Sequence, residues 1–240
     1  MMKKLMLAAC ITVLACSFTF FKKTPRILVF CKTAGYHHQS IAVGKVAIMQ
    51  LGAAHHFDVD TTADSTVFTD KNLKKYAAVV FLSTTGNVLN DEQQAAFEKY
   101  IRAGHGFVGV HAATDTEYDW PWYNKLVGAY FKSHPKQQEA VLHVTDSSFI
   151  ASKHLPATWK RKDEWYNFKT TNWDDVHVLI TIDESSYTGG ENGNYHPMSW
   201  YHNYDGGRSF YTELGHTDES YADPLYLQHL LGGIEYAIGE

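Results

Sequence analysis

Three uninterrupted apolar runs, within Arg26-Ile27-Leu28-Val29-Phe30, Tyr76 to Leu82 and Gly106 to His111, constrain this chain more than any other feature. A strand that is apolar on both sides is buried on both faces, which happens when helices cover a parallel sheet. The segments between the runs read as helices. Ser40 to Ala54 places Ile41, Val46, Met49 and Ala53 near helical spacing. Asn90-Asp91-Glu92-Gln93 is a helix start with acidic groups in its first turn, and Gly104 is a stop. With a short strand at Phe57 to Asp60, this alternation predicts an α/β chain built as a three-layer sandwich on a mostly parallel, flavodoxin-like sheet.

Past residue 112 the rhythm breaks. Trp120-Pro121-Trp122-Tyr123 and the stretch to His134-Pro135 read as aromatic loops, Val141 to Val144 and Val176 to Ile182 as strands, and 187–197 as a long glycine-rich loop. Ser199-Trp200-Tyr201 and Arg208 to Tyr211 read as a β-pair around Asp205-Gly206-Gly207, and Leu225 to Ile238 as a closing helix. No linker and no repeat divides the chain, so residues 24–240 are expected to form one domain with an elaborated, β-rich second half.

Residues 1–23 have a different character. Met1-Met2-Lys3-Lys4 precedes an apolar run from Leu5 to Ala15, the pattern of an export signal and too short to span a bilayer comfortably. Val13-Leu14-Ala15-Cys16 resembles a lipoprotein cleavage box. The expected location is therefore the periplasm or a lipid anchor in the cell envelope, with no other membrane contact. The cysteines at 10, 16 and 31 are too few for a disulfide framework or a cysteine-rich zinc site, and Cys31 reads as a small core residue.

Composition narrows the function. The formal charge is −5, and no basic block follows residue 30, which excludes nucleic acid as a partner. The 14 histidines, 15 tyrosines and 6 tryptophans suit a polar-aromatic pocket for a small molecule, a carbohydrate first among them. In an open α/β sheet such a pocket lies beyond the carboxyl ends of the strands. Three loops meet there: 33–40 with His38, 83–87, and 111–115 with His111 and Asp115. At the strand-to-helix turn where related enzymes carry a Ser or Cys nucleophile, this chain has His111, a base or ligand but a poor acyl nucleophile. The second half adds Glu164, Tyr166, His196, Trp200, Arg208 and His216. Arg208 has an equally good structural reading, as a partner for Asp163 or Glu164. The cofactor is left open. A divalent metal would draw on His38, His111, His216 and Glu164, none of which show the short His-x₃-His spacing of a strong metal motif.

The succession Gly35…His38-x-Ser40-Ile41, Gly106 to His111, Asp163-Glu164-x-Tyr166, His196-Pro197-x-Ser199-Trp200, Gly207-Arg208-x-Phe210-Tyr211 and Leu214-Gly215-His216-Thr217 resembles the trehalose-utilisation (ThuA-like) family from about residue 26 to 238. The resemblance implies a fold similar to class I glutamine amidotransferases without their catalytic cysteine. It also implies a place in carbohydrate metabolism through keto-sugar intermediates. An export signal departs from a cytoplasmic trehalose pathway.

The site residues follow from strand-end geometry, not from the resemblance. The expected function is a sugar-processing hydrolase, lyase or isomerase rather than an amidotransferase. His111 serves as general base and Glu164 or Asp115 as acid or partner. His38, His216 and Arg208 orient hydroxyls, and Tyr166, His196 and Trp200 complete the substrate pocket. The alternative is a non-catalytic glycan-binding protein of the cell envelope using the same pocket.

Overall fold

Helices on both faces account for the apolar strands. The computed structural model describes residues 24–239; the expected signal segment 1–23, with Cys10 and Cys16, lies outside the described residues. The first half runs β1 (Arg26–Phe30), α1 (Ile41–His55), β2 (Asp58–Thr62), α2 (Asp70–Leu73), β3 (Ala78–Leu82), α3 (Asp91–Arg102) and β4 (Gly106–Val110). The second half runs α4 (Pro121–Val127), β5 (Tyr130–Ser133), β6 (Gln138–Val144), β7 (Thr158–Asp163), β8 (Asn167–Lys169), β9 (His177–Ile182), β10 (Pro197–Tyr204), β11 (Gly207–Thr212) and α5 (Pro224–Ile238).

Nine strands form one sheet in the order β2-β1-β3-β4-β11-β10-β9-β6-β7, and β5 and β8 pair separately. Every residue of β3 and β4 is buried, as their apolar sequences require. Alternate residues of the central strands face different layers. Phe107 packs against Phe97 of α3, and the adjacent Ser209 donates to the Leu126 carbonyl of α4. Phe210 turns the other way and meets His229 of α5. The Asn90 start is a reciprocal capping box with Gln93.

The sheet is mixed rather than mostly parallel. Pairing is parallel from β2 through β11 and antiparallel from β11 through β7. The reason is a hairpin. Asp205 (φ 48°) and Gly206 (φ 92°) form a two-residue turn that returns the chain from β10 to β11 without a helical crossover. The antiparallel half also bends back on itself. β7 is farthest from β4 in sheet order, yet residues just past its end meet those following β4 and β11.

Candidate functional site

The carboxyl ends of β1, β4, β11 and β7 open onto one place. The loop after β1 is tied to the loop after β3 by Ala34 N–H to the Thr85 carbonyl (2.7 Å), and that loop to the turn after β4 by Gly86 N–H to the Asp115 carbonyl (2.8 Å). Over this platform lie His38, His111, Glu164 and His216, with one donor atom from each within 4.8 Å of the others.

His111 is the fixed point. It follows β4 directly, is fully buried, and has a left-handed backbone (φ 50°) that a β-substituted residue adopts only under constraint. Its Nδ1–H donates to the Glu213 carbonyl (2.7 Å), which leaves Nε2 as the nitrogen facing the cluster. Nε2 lies 3.1 Å from His216 Nδ1 and 3.5 Å from Glu164 Oε2, and His216 Nδ1 is 2.9 Å from the same oxygen. The Tyr166 ring packs on His111 with centroids 4.4 Å apart. His38 stands edge-on to both other imidazoles, 4.8 Å from His111 and 5.2 Å from His216, and its buried Nδ1 has no hydrogen-bond partner among the described residues.

Electrostatics fit this crowding. Burial, then the nearby His111 and His216 rings, push the His38 imidazole down to about 2, so it stays uncharged. Burial works to raise the Glu164 carboxyl, but hydrogen bonds and charge from His111 and His216 outweigh it and hold the group well below the usual carboxylate range. The site thus gathers three imidazoles about one ionised carboxylate. With the imidazoles deprotonated, this donor set suits a divalent cation of borderline softness such as zinc. Two ligands on a tetrahedral zinc stand about 3.3 Å apart, close to the three separations among His111, His216 and Glu164. The carbonyl behind His111 is the outer partner that metal-bound imidazoles usually have.

His216 is placed by Asp163. That buried carboxylate accepts from the backbone N–H groups of Gly215 and His216 (both 3.2 Å), from Ser220 Oγ (3.1 Å) and from Arg161 (3.0 Å). Sequence reasoning missed two neighbours. His134 Nδ1 lies 3.1 Å from the other Glu164 oxygen, Oε1, at the mouth of the site. Fully buried Glu213 accepts from Tyr166 N–H (3.0 Å), and burial pushes its carboxyl well above the usual range. Glu213 could be suspected from its place just before the Leu214-Gly215-His216 turn. No spacing pointed to His134.

The other expected site residues stand apart. Asp115 accepts from Tyr118 (2.5 Å), and its carboxylate is not in the cluster. His196 is fixed between Glu184 (2.7 Å) and the Tyr166 carbonyl (2.8 Å). Trp200 is a fully buried core ring whose Nε1–H donates to the Val127 carbonyl (2.9 Å). Arg208 is at the opposite end of its strand, beside Gly106, and holds the Tyr236 and Ala237 carbonyls at the end of α5. It neither orients a ligand at the cluster nor pairs with Asp163 or Glu164, because strand direction carries it to the far edge of the sheet.

The sequence matches the model of the family described as ThuA, trehalose utilisation, over residues 26–237. No curated protein matches it. A solved protein described as ThuA-like, from Bacteroides uniformis, is 24% identical with a TM-score of 0.77, over 91% of this chain and 94% of that one. Another from Parabacteroides merdae is 23% identical with a TM-score of 0.70, over 90% of this chain and 91% of that one. A β-galactosidase from Bacillus circulans shares the fold over 30% of its length and 90% of this chain, at 11% identity and a TM-score of 0.55.

Proposed function

Because the chain belongs to the ThuA family, linked in general to trehalose utilisation, we propose that it acts in carbohydrate metabolism as a metal-dependent enzyme on a glycoside or keto-sugar. The observation that carries the reading is the convergence of three imidazoles and an ionised carboxylate at the carboxyl ends of the strands. His38, His111, His216 and Glu164 would hold a divalent cation, and such a cation would supply Lewis-acid polarisation of a sugar carbonyl or hydroxyl oxygen. This assigns His111 to ligation rather than to the free base expected from the sequence, since its outward nitrogen faces the other donors. The imidazole left to move a proton is His134, with Nδ1 held by Glu164 and the Pro135 carbonyl and Nε2 free to accept.

A 3-keto-glycoside suits this equipment. Its carbonyl acidifies C2–H. Loss of that proton to His134 generates an enolate. As its electrons form the C1=C2 double bond, the glycosidic oxygen leaves C1 and takes the proton back from the His134 imidazolium, giving an enone and a free alcohol without any protein nucleophile. Residues 1–23 suit export, which would put this chemistry in the cell envelope.

The test is turnover of a panel of glycosides and their 3-keto derivatives, alongside metal analysis. About one zinc per chain is expected. Turnover should fall on the order of 10²–10⁴-fold in His111→Ala and after chelation, and return when zinc is restored. Unchanged turnover in His111→Ala sinks the reading. Sugar binding with no turnover across the panel favours the glycan-binding alternative.

A further inference from the structure

Beside the metal-ligand cluster lies an open cleft of about 390 Å³, walled by Tyr36, Gln39, Gln137, His216, Asp218 and Glu219. Its volume falls in the range of small-molecule sites, ~300–1,000 Å³. His216 belongs to both cleft and cluster, so a ligand in one is within reach of the other. We infer that this cleft is the subsite for an uncharged saccharide unit, and that it discriminates against phosphorylated or otherwise anionic sugars.

The chemistry of the walls carries the inference, which rests on the sugar-directed reading of the centre. Tyr36 is 66% exposed, yet its ring packs edge-on against buried His38 (4.8 Å). The segment carrying it is pinned by Gly35 N–H to Thr85 Oγ1 (3.2 Å) and by that hydroxyl to the Tyr36 carbonyl (2.8 Å). A rigidly placed, exposed aromatic ring offers the apolar face on which a pyranose C–H surface stacks. Facing it are groups suited to hydroxyls. The Gln39 and Gln137 side chains make no hydrogen bond with a described residue, and Asp218 and Glu219 enter no ion pair with one. Amides donate and accept, and carboxylates accept from hydroxyls, so a polyol satisfies all four. Among the described residues no lysine or arginine lines the cleft, and its two carboxylates repel an anion.

The opposite wall is fixed as well. Thr217 accepts from Ser220 N–H, and Ser220 Oγ donates to Asp163, the residue that positions His216. A hollow of about 420 Å³ between α2 and α3 competes in size only. It is lined by Leu73, Ala96, Tyr100 and lysine side chains, and includes none of the cluster residues.

Calorimetric titration of the zinc-loaded protein with trehalose and with trehalose 6-phosphate tests this directly. Trehalose should bind at least about tenfold tighter. Tyr36→Ala and Gln137→Ala should each weaken it by about tenfold, and the double variant Asp218→Lys, Glu219→Lys should move the preference toward the phosphate. Zinc content should be unchanged in all three. The inference is overturned by a phosphate that binds as well as trehalose, by wild-type affinity in Tyr36→Ala and Gln137→Ala, or by no binding of either sugar. Trehalose binding that responds to the cleft variants, in a protein with no zinc and no turnover, would remove the proposed function and leave the subsite standing.

Discussion

His111 shows how a single residue couples backbone strain to chemistry. A left-handed φ at a residue with a Cβ costs on the order of 1 kcal/mol, and it aims Nε2 at the cluster while Nδ1 reaches the Glu213 carbonyl. Gly109, one turn of the pleat earlier, makes room: a Cβ there would stand 2.9 Å from the Tyr211 ring. Asp163 performs the matching task for His216. Asp163→Ala strips the acceptor from three backbone N–H groups and from Arg161, whose side chain is 8% exposed. A loss of about 3 kcal/mol is expected, read by urea denaturation, with zinc binding weakened because the 215–216 turn is released. Wild-type stability would mean that Asp163 does not hold the turn. His38, His111, Glu164 and His216 were legible as polar residues at strand ends. Arg208, Trp200 and His196 are the same kinds of residue, and only their positions along the strands and in the core separate them from the site.

Among the elements, the two outer helices show where patterning informs and where it misleads. α1 begins where its spacing predicts, but it buries Ile41, Gly44, Ala47, Ile48 and Gly52, while Val46 and Met49 stay about half exposed. Small residues decide that face: a Cβ on Gly44 would lie 2.9 Å from the Tyr221 ring, so a bulky stripe could not approach. α5 ends in carbonyls that Arg208 satisfies from β11. A guanidinium at a helix C-terminus is favourable by roughly 1 kcal/mol. Arg208→Met should therefore lower stability by about that much in thermal or urea unfolding, while zinc content and sugar affinity stay at wild-type values. A loss of sugar binding without a loss of stability would return Arg208 to the ligand.

The molecule as a whole carries buried imidazoles away from the cluster, and they set its acid sensitivity. His229 donates from Nδ1 to the Ala151 carbonyl (2.7 Å), and His202 bonds the Lys125 carbonyl (3.1 Å). Burial pushes His229 down to about 3 and His202 down to about 4. Both are neutral in the fold but take up a proton near pH 6.5 when unfolded. The unfolded state then binds more protons, so their stabilisation is complete above about pH 6.5 and declines as pH falls toward 4 and 3. Urea unfolding at pH 7.5 and pH 5 should differ by about 2 kcal/mol for each imidazole. His229→Gln should flatten part of that slope, and an unaltered slope would discount its role. Sequence alone determined the alternation of buried strands and covering helices, the hairpin at Asp205-Gly206 and the family, because these follow from local periodicity, turn chemistry and ordered motifs. Only the tertiary structure decided that the sheet is half antiparallel and bends back. That curvature brings Glu164, beyond the outermost strand, to imidazoles from three other segments. A contact between residues so far apart in the chain depends on the sum of many strand twists and pairings, which no local pattern records.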